Sequence, residues 1–253
     1  MEPGQYAAFC SLRDEFKDHV AGLSSRCPWL RPLQEALRAE LGYLDYEIET
    51  PVVYNRDLDE VAESDEPLFL IVADNPGKNE QKAAQNRYLV GQSGKVASSW
   101  FASRLGLDFR KACVIINKTP IHTPKTAELS LMLKLAARES PKLAEEFRRA
   151  LIESQGTMAR LALGFHKALG CTLWVSGYGE LRRGRLFRHW AEELGRLYEA
   201  EASSLRESVW VFRHFSMNQF SIEYSAWDSG SSTTAMHRLE AIGRARRKEI
   251  LGW

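Results

Sequence analysis

Hydrophobic positions in this chain concentrate in four short continuous runs set between longer amphipathic stretches. The runs cover residues 68–73, 113–116, 172–175 and 209–212. Each is rich in β-branched or aromatic residues and lacks the polar alternation of a half-exposed strand, so each predicts a strand covered on both faces. Between them, apolar spacings of three and four predict helices: 95–105 after the first run, 129–137 and 141–169 after the second, and 180–204 after the third. Two further helices, about 5–23 and 32–41, precede the first strand, and a basic amphipathic helix over 234–251 follows the last. The segment 45–66 is acidic and has no clear period.

Strand alternating with helix predicts an α/β protein, a three-layer α/β/α sandwich around a central, mainly parallel four-stranded sheet. One domain over 1–253 is the economical division: an N-terminal helical extension over 1–66, and a core over 67–253 carrying a helical insert near 126–169. The Lys, Arg and Glu content of that insert predicts an exposed helical pair, which either recruits a partner or extends the core.

Composition narrows the class. With 44% hydrophobic and 26% charged residues the chain is not disordered, collagenous or coiled-coil. Lys and Arg number 34 against 33 Asp and Glu, which argues against bulk electrostatic binding to nucleic acid but leaves room for a local basic groove. No apolar run approaches the roughly 18 residues of a membrane span. Met1-Glu2-Pro3-Gly4 has neither a basic start nor an apolar core, so no secretory signal is expected and a cytoplasmic location is. Cys10, Cys27, Cys113 and Cys171 contain no C-x-x-C pair, so plain thiols and no metal site are expected.

In open parallel sheets ligands bind beyond the carboxyl ends of the strands, and the unusual residues here directly follow strands. After the first come Asp74-Asn75-Pro76-Gly77 and then Arg87-Tyr88-Leu89-Val90-Gly91-Gln92-Ser93-Gly94. Asn-Pro-Gly makes a turn on its own account, and it also pushes an acid and an amide out of the sheet. Gly91-x-x-Gly94 is either an ordinary helix start or a backbone cradle for phosphate. Asn117 ends the second strand, where its amide can cap a turn or complement the edge of a nucleobase. After the fourth strand stand Arg213-His214-Phe215-Ser216, with His214 a structural imidazole or a proton donor.

Together these strand-end motifs resemble the uracil-DNA glycosylase superfamily. The family-4 pattern G-E-A-P-G followed by G-x-P-F-V-G-x-A-G falls in register with Ala73–Gly77 and with Arg87–Gly94. The family's strand-terminal Asn is matched by Asn117, and its H-P-S by His214-Phe215-Ser216. Asn75 before the proline looks like the G-I-N-P-G of the mismatch-specific glycosylases. Ala73, Asp74, Leu89 and Phe215 depart from the family pattern. The cysteines that hold the family-4 iron–sulfur cluster have no counterpart, so no cluster and no other cofactor is expected.

The resemblance implies hydrolysis of the N-glycosidic bond of uracil, or a related deaminated base, flipped out of single- or double-stranded DNA during base-excision repair. It assigns a hydrogen bond to the uracil O2 to His214, base readout to Asn117, and water activation or positioning to Asp74 and Asn75, the carboxylate being the stronger base. Pro76, Gly77, Leu89 and Ser216 would shape the base pocket, with Tyr88 stacking in place of the family's Phe. Gly91, Ser93 and Gly94 would meet the strand, and Met217 or Phe220 would act as the wedge. DNA is the expected partner of a monomer. Two basic clusters, Arg182–Arg188 and 244–248, read as solvated helix faces or as phosphate contacts. Two other readings stay open: a glycosylase-fold protein that binds nucleic acid without cutting, and an α/β protein binding a small nucleotide or phosphate at 91–94.

Overall fold

Four strands, β1 (Phe69–Ala73), β2 (Cys113–Asn117), β3 (Thr172–Val175) and β4 (Val209–Val211), pair throughout in parallel in the order β2-β1-β3-β4. The structure is a computed structural model and describes residues 1–227 and 234–253. All five residues of β1 and of β2 are buried, which is why these runs carry no polar alternation. Ile71 lies opposite Ile115 and Trp174, and Trp174 opposite Trp210.

Helices α1 (Pro3–Arg26), α2 (Leu30–Glu40) and α3 (Asp57–Glu60) precede the sheet; α4 (Gln92–Leu105) and α5 (Phe109–Ala112) join β1 to β2. Helices α6 (Glu128–Glu139) and α7 (Pro141–Leu169) join β2 to β3, and α8 (Tyr178–Leu181), α9 (Arg188–Glu199) and α10 (Ser203–Glu207) join β3 to β4. A short 3₁₀ turn, α11 (Gln219–Ala226) and α12 (Ala235–Leu251) follow. Aromatic rings of α4 pack on Phe69 and Trp174, and α12 lies against β4, where Gly243 meets Trp210 with no room for a Cβ. Helix α7 packs on β1 with α1, α6 and α9 alongside.

The insert differs from its expectation. Helix α7 begins with Ser140, whose side chain accepts from the Leu143 N–H, followed by Pro141, and it ends at Gly170 with φ 63°. Between these caps, Phe147, Leu151, Met158, Ala162 and Phe165 are among its buried residues, so it is a core helix and not an exposed hairpin. The helix expected over 180–204 is three short helices. Gly184 breaks it at φ 75° and puts Arg182, Arg183 and Arg185 on an exposed loop instead of a helix face. No helix among the described residues is long and apolar enough to cross a membrane. The four cysteines are free thiols.

The chain leaves β1 toward β2 and leaves β3 toward β4, on opposite sides. The loops beyond the two central strands therefore diverge and open a crevice at their carboxyl ends. The N-terminal region braces one wall of it. Val53 N–H donates to Pro120 O, and Gln34 donates to Pro51 O and His122 O. The His122 ring in turn holds the Pro76 carbonyl at 2.9 Å.

Candidate functional site

A cavity of about 560 Å³ fills this crevice, within the range of small-ligand sites. All four strand ends line it: Asp74, Asn75 and Gly77 after β1; Thr123 to Ala127 after β2; Gly177, Gly179 and Glu180 after β3; His214, Ser216 and Met217 after β4. Leu89, Ser93 and Glu80 complete the wall.

Asp74 is tied to a lysine that the sequence did not single out. Lys118 is fully buried, and its Nζ donates to Asp74 Oδ1 (2.7 Å), Ser176 O (2.5 Å) and Ala73 O (3.3 Å). Three acceptors use the three N–H bonds of an ammonium, so the geometry is that of the charged form. Phe187 and Trp190 place their rings 5.2 and 5.6 Å from the same nitrogen. Burial pushes the Lys118 pKa down, and the Asp74 carboxylate opposes that shift. Thr126 Oγ1 donates to the other Asp74 oxygen at 3.4 Å. Gly177, at φ 86°, allows this approach, since a Cβ there would stand 2.2 Å from Asp74 Oδ1.

Asn75 has one half of its amide occupied. Thr123 Oγ1 donates to Lys125 O (3.0 Å) and accepts from Asn75 Nδ2 at 2.9 Å, leaving Asn75 Oδ1 buried without a hydrogen-bond partner among the described residues. His214 is fixed as a donor. The Ser216 backbone N–H donates to His214 Nδ1 at 3.0 Å and the Ser216 hydroxyl lies 2.8 Å from the same nitrogen; because the N–H can only donate, the arrangement that satisfies both has Nδ1 as acceptor and the ring proton on Nε2. Burial first, and the Lys118 charge after it, hold the His214 pKa below 6.5 against the pull of Asp74. The ring is therefore neutral at pH 7, with Nε2–H making no hydrogen bond among the described residues.

Asn117 is 1% exposed and is not part of the cavity wall, although it lies beside Ala73 in the sheet register. Neither its Oδ1 nor its Nδ2 has a partner among the described residues. An unpaired buried amide costs about 1–3 kcal/mol, so a strand end that keeps one holds polar capacity in reserve.

Other expectations need correction. Tyr88 cannot stack on a base: its ring is fully buried and its hydroxyl donates to Val53 O at 2.5 Å. Phe220 cannot be a wedge, since it is fully buried with its ring 4.9 Å from Trp100 and 5.1 Å from Trp174. Gly94 is no phosphate cradle: a Cβ there would fall 1.5 Å from Leu89 O, so the residue exists for close packing beneath Leu89, which itself has φ 52°. Gly91 caps α4 and, like Pro76, lies outside the cavity wall, whereas Ser93 and Leu89 face it. Met217, at φ 52° and 84% exposed, stands at the rim of the cavity.

These placements separate the two residues experimentally. Phe220→Ala is expected to lower stability by about 3–5 kcal/mol in denaturant melts. Met217→Ala should stay within about 0.5 kcal/mol of wild type. Equal effects of both substitutions on stability would contradict the placement.

Charges around the site sort by pairing. In the C-terminal cluster, Arg244 pairs with Glu240, Arg246 pairs with Glu223 and Glu249, and Arg247 donates to backbone carbonyls. Arg182, Arg183 and Arg185 are exposed, follow directly on Gly179 and Glu180 of the cavity wall, and form no ion pair among the described residues. Glu80, also missed in the sequence, is a carboxyl 7% exposed whose pKa burial pushes up to about 7, against the backbone N–H groups of Gly77 and Leu89 and the charge of Arg110. Comparison with protein-family models, with curated proteins and with solved structures returned no match.

Proposed function

We propose that the protein is a DNA glycosylase-like hydrolase that takes uracil or a related deaminated base into this cavity and hydrolyses its N-glycosidic bond, on a three-layer fold of the uracil-DNA glycosylase kind. The observation that carries the reading is the convergence of Asp74, Asn75 and His214 on one cavity from the ends of two strands far apart in sequence. A neutral imidazole with a free Nε2–H is matched to the negative charge that develops on a leaving pyrimidine, and such a donor is worth most where charge appears only in the transition state. Asn75 Oδ1, buried and without a partner among the described residues, would become an acceptor for the attacking water once a bound base opens the loop, and Asp74 brings a carboxylate near the cationic sugar. Leu89 covers the base with apolar area in place of a ring. The unpaired amide of Asn117 supports base readout, which requires the base to reach the end of β2. Met217 fits the wedge that fills the stack after flipping. Arg182, Arg183 and Arg185, exposed and forming no ion pair among the described residues, suit phosphates of the strand, with the chain acting as a monomer.

The test is release of free base from a uracil-containing single strand at protein excess, beside Asn117→Ala and the same strand carrying cytosine. Wild type should act on uracil alone, and Asn117→Ala should lose both rate and selectivity. A second reading, strand binding without cleavage, is favoured by one observation: the Asp74 carboxylate is already committed to Lys118 and Thr126. Strand affinity that falls with salt, joined to no base release, would replace the first reading by the second.

A further inference from the structure

Among the ionisable groups that line the cavity, Glu80 is the one carboxyl that is both deeply buried and free of a cationic partner within ion-pair distance among the described residues. Asp74 has Lys118, and Glu180 belongs to the more open wall after β3. Glu80 sits on the same loop as Asn75, and its Oε2 accepts the Gly77 N–H at 3.2 Å, which turns the carboxyl back toward the start of the loop. The Leu89 N–H meets it from the approach to α4. Two titratable groups flank it: Tyr88, whose buried hydroxyl is engaged with Val53 O, and Arg110, whose guanidinium is drawn off to Asp57 (3.0 Å) and to Tyr88 O (2.8 Å).

We infer that Glu80, and not Asp74, is the proton acceptor for the water that attacks the sugar, an inference that rests on the glycosylase reading above. The step balances as follows. A water in the cavity lined by Asn75 and Glu80 forms the new C1′–O bond and gives one proton to the Glu80 carboxylate. The C1′–N1 bond breaks with its electron pair going to the base, where His214 Nε2–H meets the charge on O2. Glu80 then passes its proton to the departing base anion or to solvent and returns to the carboxylate. Asp74 is held by Lys118 and Thr126 and stays beside the sugar as one half of that ion pair. A base is most useful when its pKa lies near the working pH, and the burial of Glu80 brings it there.

The sign of the linkage gives a second handle. Glu80 ionises at about 7 in the folded chain against 4.5 as the reference, so the unfolded chain releases this proton first and stability falls as pH rises from 4.5 to about 7. Removing the ionisation removes that loss: Glu80→Gln should match wild type in urea melts at acid pH and exceed it above neutrality.

The experiment pairs difference infrared titration with single-turnover base release across the neutral range, on wild type, Glu80→Gln and Glu80→Asp. Expected are one protonated-carboxyl band that disappears near pH 7 in wild type and is missing in Glu80→Gln, and a wild-type rate that climbs about tenfold per pH unit to a plateau at the same point. Glu80→Gln should fall about 10²–10⁴-fold below that plateau and lose the climb, with partial rescue in Glu80→Asp. Wild-type release with the same climb and rate in Glu80→Gln overturns the role of Glu80 alone. Release by no variant, wild type included, overturns the glycosylase reading and the role with it, while the infrared band still reports whether Glu80 exchanges a proton.

Discussion

Replacing His214 by alanine lowers single-turnover base release by about 10²–10³-fold, the loss seen when one preorganised donor to a developing oxyanion is removed. Strand affinity and melting temperature should stay near wild type, because the ring is half-buried at a loop and its one strong contact is to the Ser216 turn. The size of the effect follows from how the ring is prepared. A backbone N–H cannot accept a hydrogen bond, so the Ser216 N–H disfavours a proton on Nδ1, the Ser216 hydroxyl 2.8 Å away turns to donate, and Nε2–H is left as the ring donor. Protonating Nδ1 would set two donors against each other at 3.0 Å, and burial beside the Lys118 charge adds to that resistance. Because the folded pKa lies below 6.5, the unfolded chain takes up the proton first and the His214 contribution to stability is lost only as pH falls below 6.5. The rate should therefore hold its His214 dependence unchanged across neutral pH. A loss of less than about threefold in His214→Ala would remove the donor role.

Lys118→Met lowers stability by about 3–5 kcal/mol, because it leaves the largely buried Asp74 carboxylate without its cation. The same substitution leaves the Ser176 and Ala73 carbonyls without their donor. Removing both charges is a different matter: Lys118→Met with Asp74→Leu should recover most of the loss, as apolar replacement of buried ion pairs often does. Urea melts of the two single variants and the pair close the cycle. A single-variant loss under about 1 kcal/mol would mean that the pair is solvated and that Asp74 is not held as described. The double variant also asks what Asp74 contributes to chemistry, since it is folded yet lacks the negative charge beside the sugar.

The four strands were legible because each is buried on both faces and so appears as an unbroken apolar run. Helix α7 was legible in its limits, 141–169, but not in its burial. Arg148, Arg149 and Glu145 on one side hide how many of the remaining positions, such as Ala144, Phe147 and Ala150, are core. The helix break at Gly184 escaped because a single glycine inside a periodic pattern does not announce its φ. At the site, Asp74, Asn75 and His214 could be read from their place directly after strands, and they do line one cavity. Lys118 and Glu80 could not, because what distinguishes them is burial, which no motif records. A lysine directly following the buried strand β2 is the one sequence signal for Lys118. Tyr88 and Phe220 were misread for the same reason in reverse: an aromatic beside a motif reads alike whether it faces a cavity or the core.

Glycosidic cleavage is tested most directly by the time course of free base and abasic sites when the protein is in excess over a uracil-containing strand, with matched thymine and cytosine strands. The expected result is stoichiometric release of uracil with an equal yield of abasic sites, and none from the other two. A uracil strand that stays intact under the same conditions, while still bound, would contradict it.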